Sequence, residues 1–324
     1  MKIILAYVLR NMIDVTITQD MLDGFTTERR NDRSMNIDEA GTREILRIIN
    51  EEDKTVPLAV ERALEKIAAL VEDTVAAFRR GGRLVYVGAG TSGRLGVLDA
   101  SECPPTYGVP PTMVQGLIAG GSEALVRSVE GAEDDPEGGV RDLERIGFGR
   151  EDVLVGITAS GQAPYVLGAM ARARDMGAVV AAISCNPGSR TFQYATHVIF
   201  LDVGPEVITG STRMKAGTAQ KLVLNMLTTA SMIRCGKVYS NLMVDVKPVN
   251  RKLIERSKRL VRQATGCSKD DAERAFEASG RRPKTAIIMV LLGVGQEEAR
   301  RLEDAGGGPI AAALRLYREE KDRG

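Results

Sequence analysis

The chain has no tryptophan, a single histidine and only 4% aromatic residues. Side chains that stack on nucleic-acid bases or polysaccharides are therefore scarce. The formal net charge of +1 also provides no bulk electrostatic field to attract nucleic acid. A small, polar ligand held by hydrogen bonds fits this composition better than a polymer does.

Cysteines are few and widely scattered, and the sequence contains no CxxC pair. Such spacing is typical of reduced thiols in the cytosol, not of a disulfide framework or a metal site. No run of about 18 or more uncharged apolar residues is present. No small-residue cleavage site follows the short apolar run at 3–9. We therefore expect a cytoplasmic protein without a membrane span.

Five short apolar runs alternate with amphipathic stretches from Arg83 onward. Their near-continuous apolar character, with helix-length segments between most of them, predicts a doubly wound α/β fold. Its five-stranded parallel sheet is covered on both faces. The predicted strands are RLVYVG (83–88), TMVQGLI (112–118), VLVGIT (153–158), VVAAIS (179–184) and HVIFL (197–201).

Helical periodicity precedes and follows these strands. One helix is predicted from Pro57 to the glycine pair at 81–82, and a second over 212–235. After about Asn250 the strand signal nearly vanishes, and glycines at 266, 280 and 306–308 divide short helical segments. We expect an N-terminal extension over 1–20, a catalytic domain with N-terminal helices over 21–249, and a small helical C-terminal domain over 250–324.

Polar, glycine-containing turns follow the first, third and fourth predicted strands, at 88–94, 159–161 and 185–189. In a parallel sheet these turns converge on one edge, where ligands bind. The first turn combines backbone N–H groups, two hydroxyls and the Arg94 guanidinium at the start of a helix, an arrangement that favours an anion. Its alternative is a tight connection without function. The hydroxyls of Thr158 and Ser160, just before a helix that begins near Ala163, favour a bound phosphate.

Long motifs in the chain resemble those of the N-acetylmuramic acid 6-phosphate etherases, which have the sugar isomerase (SIS) fold. The resemblance covers nearly the whole chain beyond Met21, which itself resembles a natural start, so the first 20 residues are expected to be disordered or loosely packed. The motifs are GAGTSGRLGVLDASECPPT (88–106), VEGAEDD (129–135), ASG-x-x-PYV (159–166), SCNPGS (184–189) and TGSTRMKAGTAQKLVLNMLTT (209–229).

The resemblance implies a lyase that cleaves the D-lactyl ether of an amino-sugar phosphate. Opening of the sugar ring exposes an aldehyde, a base removes the proton on C2, and an acid helps the lactyl oxygen to leave C3. Water then adds back, so the products are N-acetylglucosamine 6-phosphate and D-lactate, and no metal or redox cofactor is implied. The implied acid–base residues are Glu102 and Glu133, each after a predicted strand near the same sheet edge.

Each carboxylate also has a simpler interpretation. Glu102 could be an ordinary solvated loop residue or a helix cap, and Glu133 could belong to a solvent-facing acidic loop. Neighbouring acids would in any case raise the pKa of Glu133, a useful property for a general acid.

The resemblance further implies a set of residues that bind the sugar phosphate. For Arg213 and Lys215 the alternative is an ion pair with Glu206, and for Lys54 it is an exposed lysine. The expected binding residues are Gly90, Thr91, Ser92, Arg94, Thr158, Ser160, Gly161, Asn186, Ser189, Arg213, Lys215 and Lys54.

Two departures and two rival functions accompany this hypothesis. The family commonly has ASGRTPYV at the phosphate turn, where this chain has Gln162 and Ala163 and so lacks one arginine and one hydroxyl. The rivals are a non-catalytic sensor of sugar phosphates, similar to glucokinase regulatory protein, and an aldose–ketose phosphosugar isomerase. The resemblance also implies a role in cell-wall recycling and a homodimer with shared active-site walls, with no nucleic-acid or membrane partner.

Overall fold

One parallel sheet of five strands organises the first part of the fold. The strands are β1 (Leu84–Gly88), β2 (Val114–Ile118), β3 (Val153–Ile157), β4 (Val179–Ser184) and β5 (His197–Phe200), in the spatial order β2-β1-β3-β4-β5. Every residue of β1 and β3 is buried, as expected for strands covered on both faces. The five predicted strands are confirmed.

These coordinates come from a computed structural model that describes residues 19–246, 248 and 251–323. The predicted extension over 1–20 lies outside the described residues, except for its last two positions.

The strand order places a topological switch point at β1. From β1 the chain crosses to β2 on one side and then returns to β3 on the other, and Leu84 pairs in parallel register with both Val114 and Val153. At such a point the connections leave the carboxyl edge in opposite directions and open a crevice between neighbouring strands. The turns after β1 and β3 therefore face a common space.

Helices flank the sheet and connect its strands. α4 packs against β1, β3 and β5, and α7 packs against β1, β3 and β4. The helices up to the end of the sheet region are α1 (Gln19–Gly24), α2 (Thr42–Asp53), α3 (Val56–Glu61), α4 (Leu64–Arg79), α5 (Gly90–Tyr107), α6 (Pro136–Arg145), α7 (Pro164–Asp175) and α8 (Lys215–Arg234).

The helix predicted from Pro57 is two helices, α3 and α4, separated at Arg62–Ala63. Ala63 has φ −100° and ψ 0°, and its N–H bonds to the carbonyl of Val60, a tighter turn than an α-helix makes. Neither glycine nor proline marks the break. It buries both Val60 and Ala63.

Close packing of glycines brings α5 onto the sheet. A Cβ on Gly116 of β2 would lie 2.6 Å from the Cα of Val97, and one on Gly93 would lie 2.7 Å from the carbonyl oxygen of Gly88. No larger residue fits at either position without displacing backbone. The N-terminus of α5 is thereby held beside the end of β1.

The contacts divide the described chain into two compact units. The first unit extends to Ser101 and includes Pro111–Thr228, whereas the second contains Glu102–Pro110 and the chain from Thr229 onward. The limit between domains predicted at residues 249 and 250 remains a prediction, and the contacts place a boundary earlier, at Thr228 and Thr229.

A buried apolar cluster lies in each unit. In the first unit it joins strand residues such as Val85 and Leu154 to Val166 and Met170 of α7. In the second it joins Val261 and Ile287 with residues of the neighbouring helices. The second unit also contains the hairpin β6 (Val238–Tyr239) and β7 (Leu242–Met243), and the helices α9 (Arg251–Thr265), α10 (Lys269–Ala278), α11 (Pro283–Leu292), α12 (Gln296–Ala305) and α13 (Ile310–Arg323).

Candidate active site

A cleft of about 220 Å³ opens at the carboxyl ends of β1 and β3, within the first unit. This is the edge at which the sequence predicted a ligand site. Its wall is made by the two turns that follow these strands, by the connection before α6, and by two segments distant in sequence. The lining residues are Glu28, Ala89, Gly90, Thr91, Ser92, Glu133, Asp134, Thr158, Ala159, Ser160, Gln162, Ala163, Pro164, Gly210 and Thr212.

The turn between β3 and α7 forms a compact hydroxyl pair. The side-chain oxygens of Thr158 and Ser160 lie 3.3 Å apart. Thr158 Oγ1 accepts the N–H of Gly161 at 3.2 Å, and Ser160 Oγ accepts the N–H of Gln162 at 3.2 Å. One of the two hydroxyls can donate to the other, so one hydroxyl proton remains available for an acceptor in the cleft. The turn thus presents a hydroxyl donor to an anion.

Gly161 is required for this turn by conformation and by space. Its φ of +77° lies in the left-handed region, and a Cβ there would lie 1.9 Å from Ser189 Oγ. Ser189 is buried, and its hydroxyl lies 2.6 Å from the hydroxyl of Thr191. Ser189 therefore packs beneath the turn and does not line the cleft.

The helix that begins at this turn adds a partial positive charge. α7 starts at Pro164, and its N-cap residue, Ala163, makes no side-chain capping bond. Gln162 is only 4% exposed and lines the cleft. Its Oε1 has no hydrogen-bond partner within the described residues. An uncapped helix start beside donating hydroxyls suits an anion, while Gln162 Oε1 offers an acceptor.

The turn between β1 and α5 forms the facing wall. Gly90 has a φ of +54° and an exposed position, and Thr91 follows it into the cleft. Ser92 is buried, and its hydroxyl donates to Oε1 of Gln220 on α8 at 2.9 Å. This bond ties the turn to α8 and uses the Ser92 proton.

Glu133 is the carboxylate that the connection before α6 places in the cleft. It lies in a single turn of 3-10 helix, Ala132–Asp134, which follows Gly131 in the left-handed conformation. Although the residue is exposed overall, partial desolvation raises the pKa of its carboxyl, and the charges of Asp134 and Glu130 raise it further. The acidic run predicted from the sequence therefore acts in the expected direction.

A second cavity of about 170 Å³ adjoins the cleft and shares part of its wall. Ala89, Gly90 and Glu133 line both. Arg94 lines only the second cavity, where its guanidinium donates to the carbonyl oxygens of Leu125 at 3.3 Å and Arg127 at 3.5 Å. The sequence grouped Arg94 with the hydroxyls of Thr91 and Ser92, but these two residues line the cleft and Arg94 does not.

Asn186, another expected phosphate ligand, is fully buried beneath the cleft. Its side-chain N–H₂ donates to Thr27 Oγ1 and to the carbonyl of Ala159, each at 3.0 Å. Thr27 in turn accepts the N–H of Gly210 on its carbonyl at 3.2 Å. Asn186 therefore links the segment that carries Glu28, the β3 turn and the Gly210 loop.

Lys215 begins α8 and is buried in a network of charges. Its ammonium donates to Glu52 at 2.7 Å, and Asn31 donates to the same carboxylate at 2.8 Å. Desolvation alone would raise the pKa of Glu52, but the bonds from Lys215 and Asn31 and the charges of Lys215 and Arg33 outweigh it, so the pKa is lowered. The Lys215 ammonium is thus already paired.

Glu206 caps the start of the same helix. Its carboxylate accepts the backbone N–H groups of Lys215 at 2.8 Å and Ala216 at 2.9 Å. The alternative that the sequence left open, a pairing of this helix start with Glu206, is present through the backbone and not through the Lys215 side chain. An anion at the N-terminus of a helix is favourable.

Three further expected site residues also do not line the cleft. Arg213 is exposed, and Lys54 is exposed and paired with Glu51 at 2.7 Å. Glu102 was expected after a strand near the same edge as Glu133. It lies instead within α5, in the part of that helix that belongs to the second unit. It is exposed there.

Several lining residues had no sequence-based prediction. Glu28, Gly210 and Thr212 reach the cleft from segments far from the two turns. The 210–212 loop lies within one motif of the family resemblance, and Glu28 lies within the region beyond Met21 that the resemblance covers; this resemblance is the one signal that could have suggested them. Among the described residues, no group of three or more His, Cys, Asp or Glu side chains has the arrangement of a metal site. None of the helices in the described ranges is long and apolar enough to cross a membrane.

The chain is similar to known proteins over most of its length. A family model described as the glucokinase regulatory protein N-terminal SIS domain matches residues 66–174. An N-acetylmuramic acid 6-phosphate etherase from Aeromonas hydrophila is 58% identical over 287 residues, which cover 88% of this chain and 96% of the relative. The enzymes of the same name from Photorhabdus laumondii and a Geobacillus species are 58% and 54% identical, covering 92% and 89% of this chain and 99% and 98% of their own.

Proposed function

The chain belongs to the N-acetylmuramic acid 6-phosphate etherase family, and from that premise we propose that its cleft at the β1–β3 switch point cleaves the lactyl ether of this sugar phosphate. The observation that carries the placement is the hydroxyl turn of Thr158 and Ser160, which lines the same cavity as Glu133. One side of the cleft suits a phosphate, and the other offers a proton-transfer group.

The phosphate is assigned to the β3 turn. The Thr158–Ser160 pair donates a hydroxyl proton, and the start of α7 without a side-chain cap adds the positive end of the helix dipole. No lysine or arginine lines this cleft among the described residues. Binding by oriented donors therefore replaces binding by ion pairs, and Gln162 occupies the position where relatives commonly carry an arginine.

Glu133 is assigned the proton transfer at the lactyl oxygen. Its raised pKa, caused first by partial burial and then by Asp134 and Glu130, keeps a proton on the carboxyl at a higher pH than an ordinary glutamate does. A general acid is most effective when its pKa lies near the working pH. The protonated carboxyl donates to the oxygen that leaves C3.

The reaction proceeds by elimination and then hydration. Ring opening exposes the C1 aldehyde, a base takes the C2 proton, and the electron pair forms the C2–C3 double bond as the C3–O bond breaks. Water then adds its oxygen to C3 while C2 regains a proton. The sum is one ether and one water converted to one alcohol, N-acetylglucosamine 6-phosphate, and one molecule of D-lactate, with no change of oxidation state overall.

Glu102 remains the proposed partner in acid–base catalysis, on the strength of the family resemblance. The same resemblance supports a homodimer with shared active-site walls and a cytoplasmic location as proposals. Glu102 is exposed on α5, so a variant at this position tests its role directly.

The experiment follows D-lactate release from N-acetylmuramic acid 6-phosphate in water enriched in heavy oxygen. We expect lactate from the unmodified chain, with heavy oxygen at C3 of the sugar product, and a large loss of rate in Glu133→Gln and Glu102→Gln. Glu123→Gln is the matched control, because Glu123 is an exposed acid of the same connection between β2 and α6 and does not line the cleft. Its rate should be unchanged.

The sensor hypothesis gives a different result. A non-catalytic protein similar to glucokinase regulatory protein, whose SIS-domain model matches 66–174, would bind sugar phosphates and release no lactate. Protection of the chain against heat by N-acetylglucosamine 6-phosphate, without lactate formation from the ether, would therefore contradict the etherase assignment.

A further inference from the structure

The second cavity is chemically distinct from the cleft beside it. Its lining includes small and apolar residues such as Ala119, Ala124 and Val129, together with Glu130, Glu133 and Arg94. Arg94 is the only cationic side chain among the described residues of this lining. Small and apolar side chains on part of the wall, together with a single guanidinium, suit a small ligand that has both a hydrocarbon part and an anionic group.

The Arg94 guanidinium retains unused donors. A guanidinium has five N–H groups in a fixed fork. Here it makes two hydrogen bonds to backbone carbonyls, at 3.3 Å and 3.5 Å, both longer than the usual range for N–H···O. No carboxylate lies within ion-pair distance of it in the described part of the chain. Arg94 lines the cavity and is half-buried, so its guanidinium is partly shielded from water.

The position of Glu133 connects the two cavities. It lines both, together with Ala89 and Gly90, so it lies between the hydroxyl turn and Arg94. In the substrate the phosphate is on C6 and the lactyl ether on C3, so the two groups lie at separate parts of the sugar. With the phosphate at the Thr158–Ser160 turn and the ether oxygen at Glu133, the rest of the lactyl group enters the second cavity.

We propose that this second cavity is the subsite for the lactyl group and that Arg94 binds its carboxylate. The inference rests on the proposed function and names the residue that selects this ether. A lactyl group has five heavy atoms beyond its ether oxygen, and a cavity of about 170 Å³ accommodates them, since a water occupies about 30 Å³ in the liquid. Guanidinium and carboxylate match as a planar, bidentate pair.

The acids in the same cavity do not oppose this assignment. Partial burial and the neighbouring acids raise the pKa of Glu133, so its carboxyl keeps the proton for the leaving oxygen to a higher pH than an ordinary glutamate does. Glu130 is exposed, so solvent and salt screen its charge. The sugar product has a hydroxyl where the lactyl group was, and its affinity therefore does not depend on Arg94.

The test compares two ethers, N-acetylmuramic acid 6-phosphate and the 3-O-ethyl ether of N-acetylglucosamine 6-phosphate, which lacks the carboxylate. The measured quantity is the ratio of their kcat/KM values in the unmodified chain, in Arg94→Gln and in Arg94→Lys. Loss of a charge-assisted pair predicts that Arg94→Gln lowers this ratio on the order of 10- to 100-fold. Arg94→Lys keeps the charge but loses the fork, so its ratio should fall less.

Two controls separate binding from folding. Arg127→Gln removes an exposed arginine from the connection between β2 and α6. The ratio of kcat/KM values for the two ethers in this variant should equal that of the unmodified chain. Affinity for N-acetylglucosamine 6-phosphate should be the same in all variants, which shows that the phosphate turn is intact. If Arg94→Gln does not fold, Arg94→Lys carries the same comparison.

Equal losses on both ethers, or a loss of affinity for the product, would overturn the proposal and return Arg94 to a phosphate-binding or structural role. Failure of the proposed function gives a different pattern, because the unmodified chain would then cleave neither ether.

Discussion

Replacing Gly161 by alanine should destabilise the first unit and weaken phosphate binding together. Gly161 has a left-handed backbone, φ +77°, and this conformation costs roughly 1–2 kcal/mol for a residue with a Cβ. The new Cβ also lies 1.9 Å from Ser189 Oγ and 2.4 Å from its Cβ, and overpacking of this kind typically costs about 1–3 kcal/mol. The expected sum is about 2–5 kcal/mol in the free energy of unfolding.

Gly177→Ala supplies the matched control. Gly177 has a similar φ, +74°, but nothing lies within 4 Å of its Cβ position. Its cost should therefore be the backbone part alone, about 1–2 kcal/mol. Alanine also reduces the entropy of the unfolded chain, equally at both sites, so that effect cancels in the difference. Gly177→Ala should leave KM unchanged.

Urea unfolding followed by far-ultraviolet circular dichroism measures both variants, since the chain has no tryptophan to report by fluorescence. A Ser189→Gly substitution in the Gly161→Ala background should recover part of the loss. It removes the two closest contacts but leaves the Ser189 Cα at 2.8 Å. Equal destabilisation by Gly161→Ala and Gly177→Ala, or an unchanged KM in Gly161→Ala, would refute this account of the turn.

Three further predictions concern buried and titrating groups. Lys215→Met leaves the Glu52 carboxylate without its ammonium partner and should lower the free energy of unfolding by about 3–5 kcal/mol. Adding Glu52→Gln should recover part of this stability. Lost activity at unchanged stability would instead favour a substrate role for Lys215. Because the pKa of folded Glu52 is lowered, its stabilisation is present at neutral pH and lost as the pH falls through that lowered value, and the double variant should lack this acid-dependent loss. Since the pKa of Glu133 is raised, kcat should fall as the pH rises through that raised value, and Glu133→Gln should abolish this limb of the profile. Asn186→Ala leaves Thr27 without its side-chain partner and should cost about 1–3 kcal/mol, measured by urea unfolding.

Local patterns were sufficient to predict the sheet. The runs that became β1 and β3 are wholly apolar and entirely buried, and this character follows from burial on both faces. The break between α3 and α4 was not predictable, because Arg62 and Ala63 are ordinary helix formers. Tertiary packing of Val60 and Ala63 decides that turn.

The site was predictable only where a residue acts within its own turn. Thr158 and Ser160 lie in the cleft because the β3 turn itself places them there. Asn186 and Lys215 have the right chemistry for phosphate, but Thr27 and Glu52, 159 and 163 residues away, bind them instead. Pairs so distant in sequence leave no periodicity or spacing from which they could be inferred.

Arg94 shows the same limit in another form. It lies in the first turn of the helix that starts at Gly90, and sequence proximity grouped it with the hydroxyls of Thr91 and Ser92 as an expected phosphate ligand. One helical turn after Gly90, Arg94 lies on the same helix face as that glycine. Both line the neighbouring cavity, whereas Thr91 and Ser92 line only the cleft.

The most direct test of the central claim is the isotope content at C2 of the sugar after the reaction is run in heavy water and followed by proton magnetic resonance. Elimination followed by hydration predicts that the N-acetylglucosamine 6-phosphate product carries deuterium at C2, and that Glu133→Gln slows release of lactate. A product formed at the full rate with its original hydrogen at C2 would contradict the account, because the ether would then have been cleaved without removal of that proton.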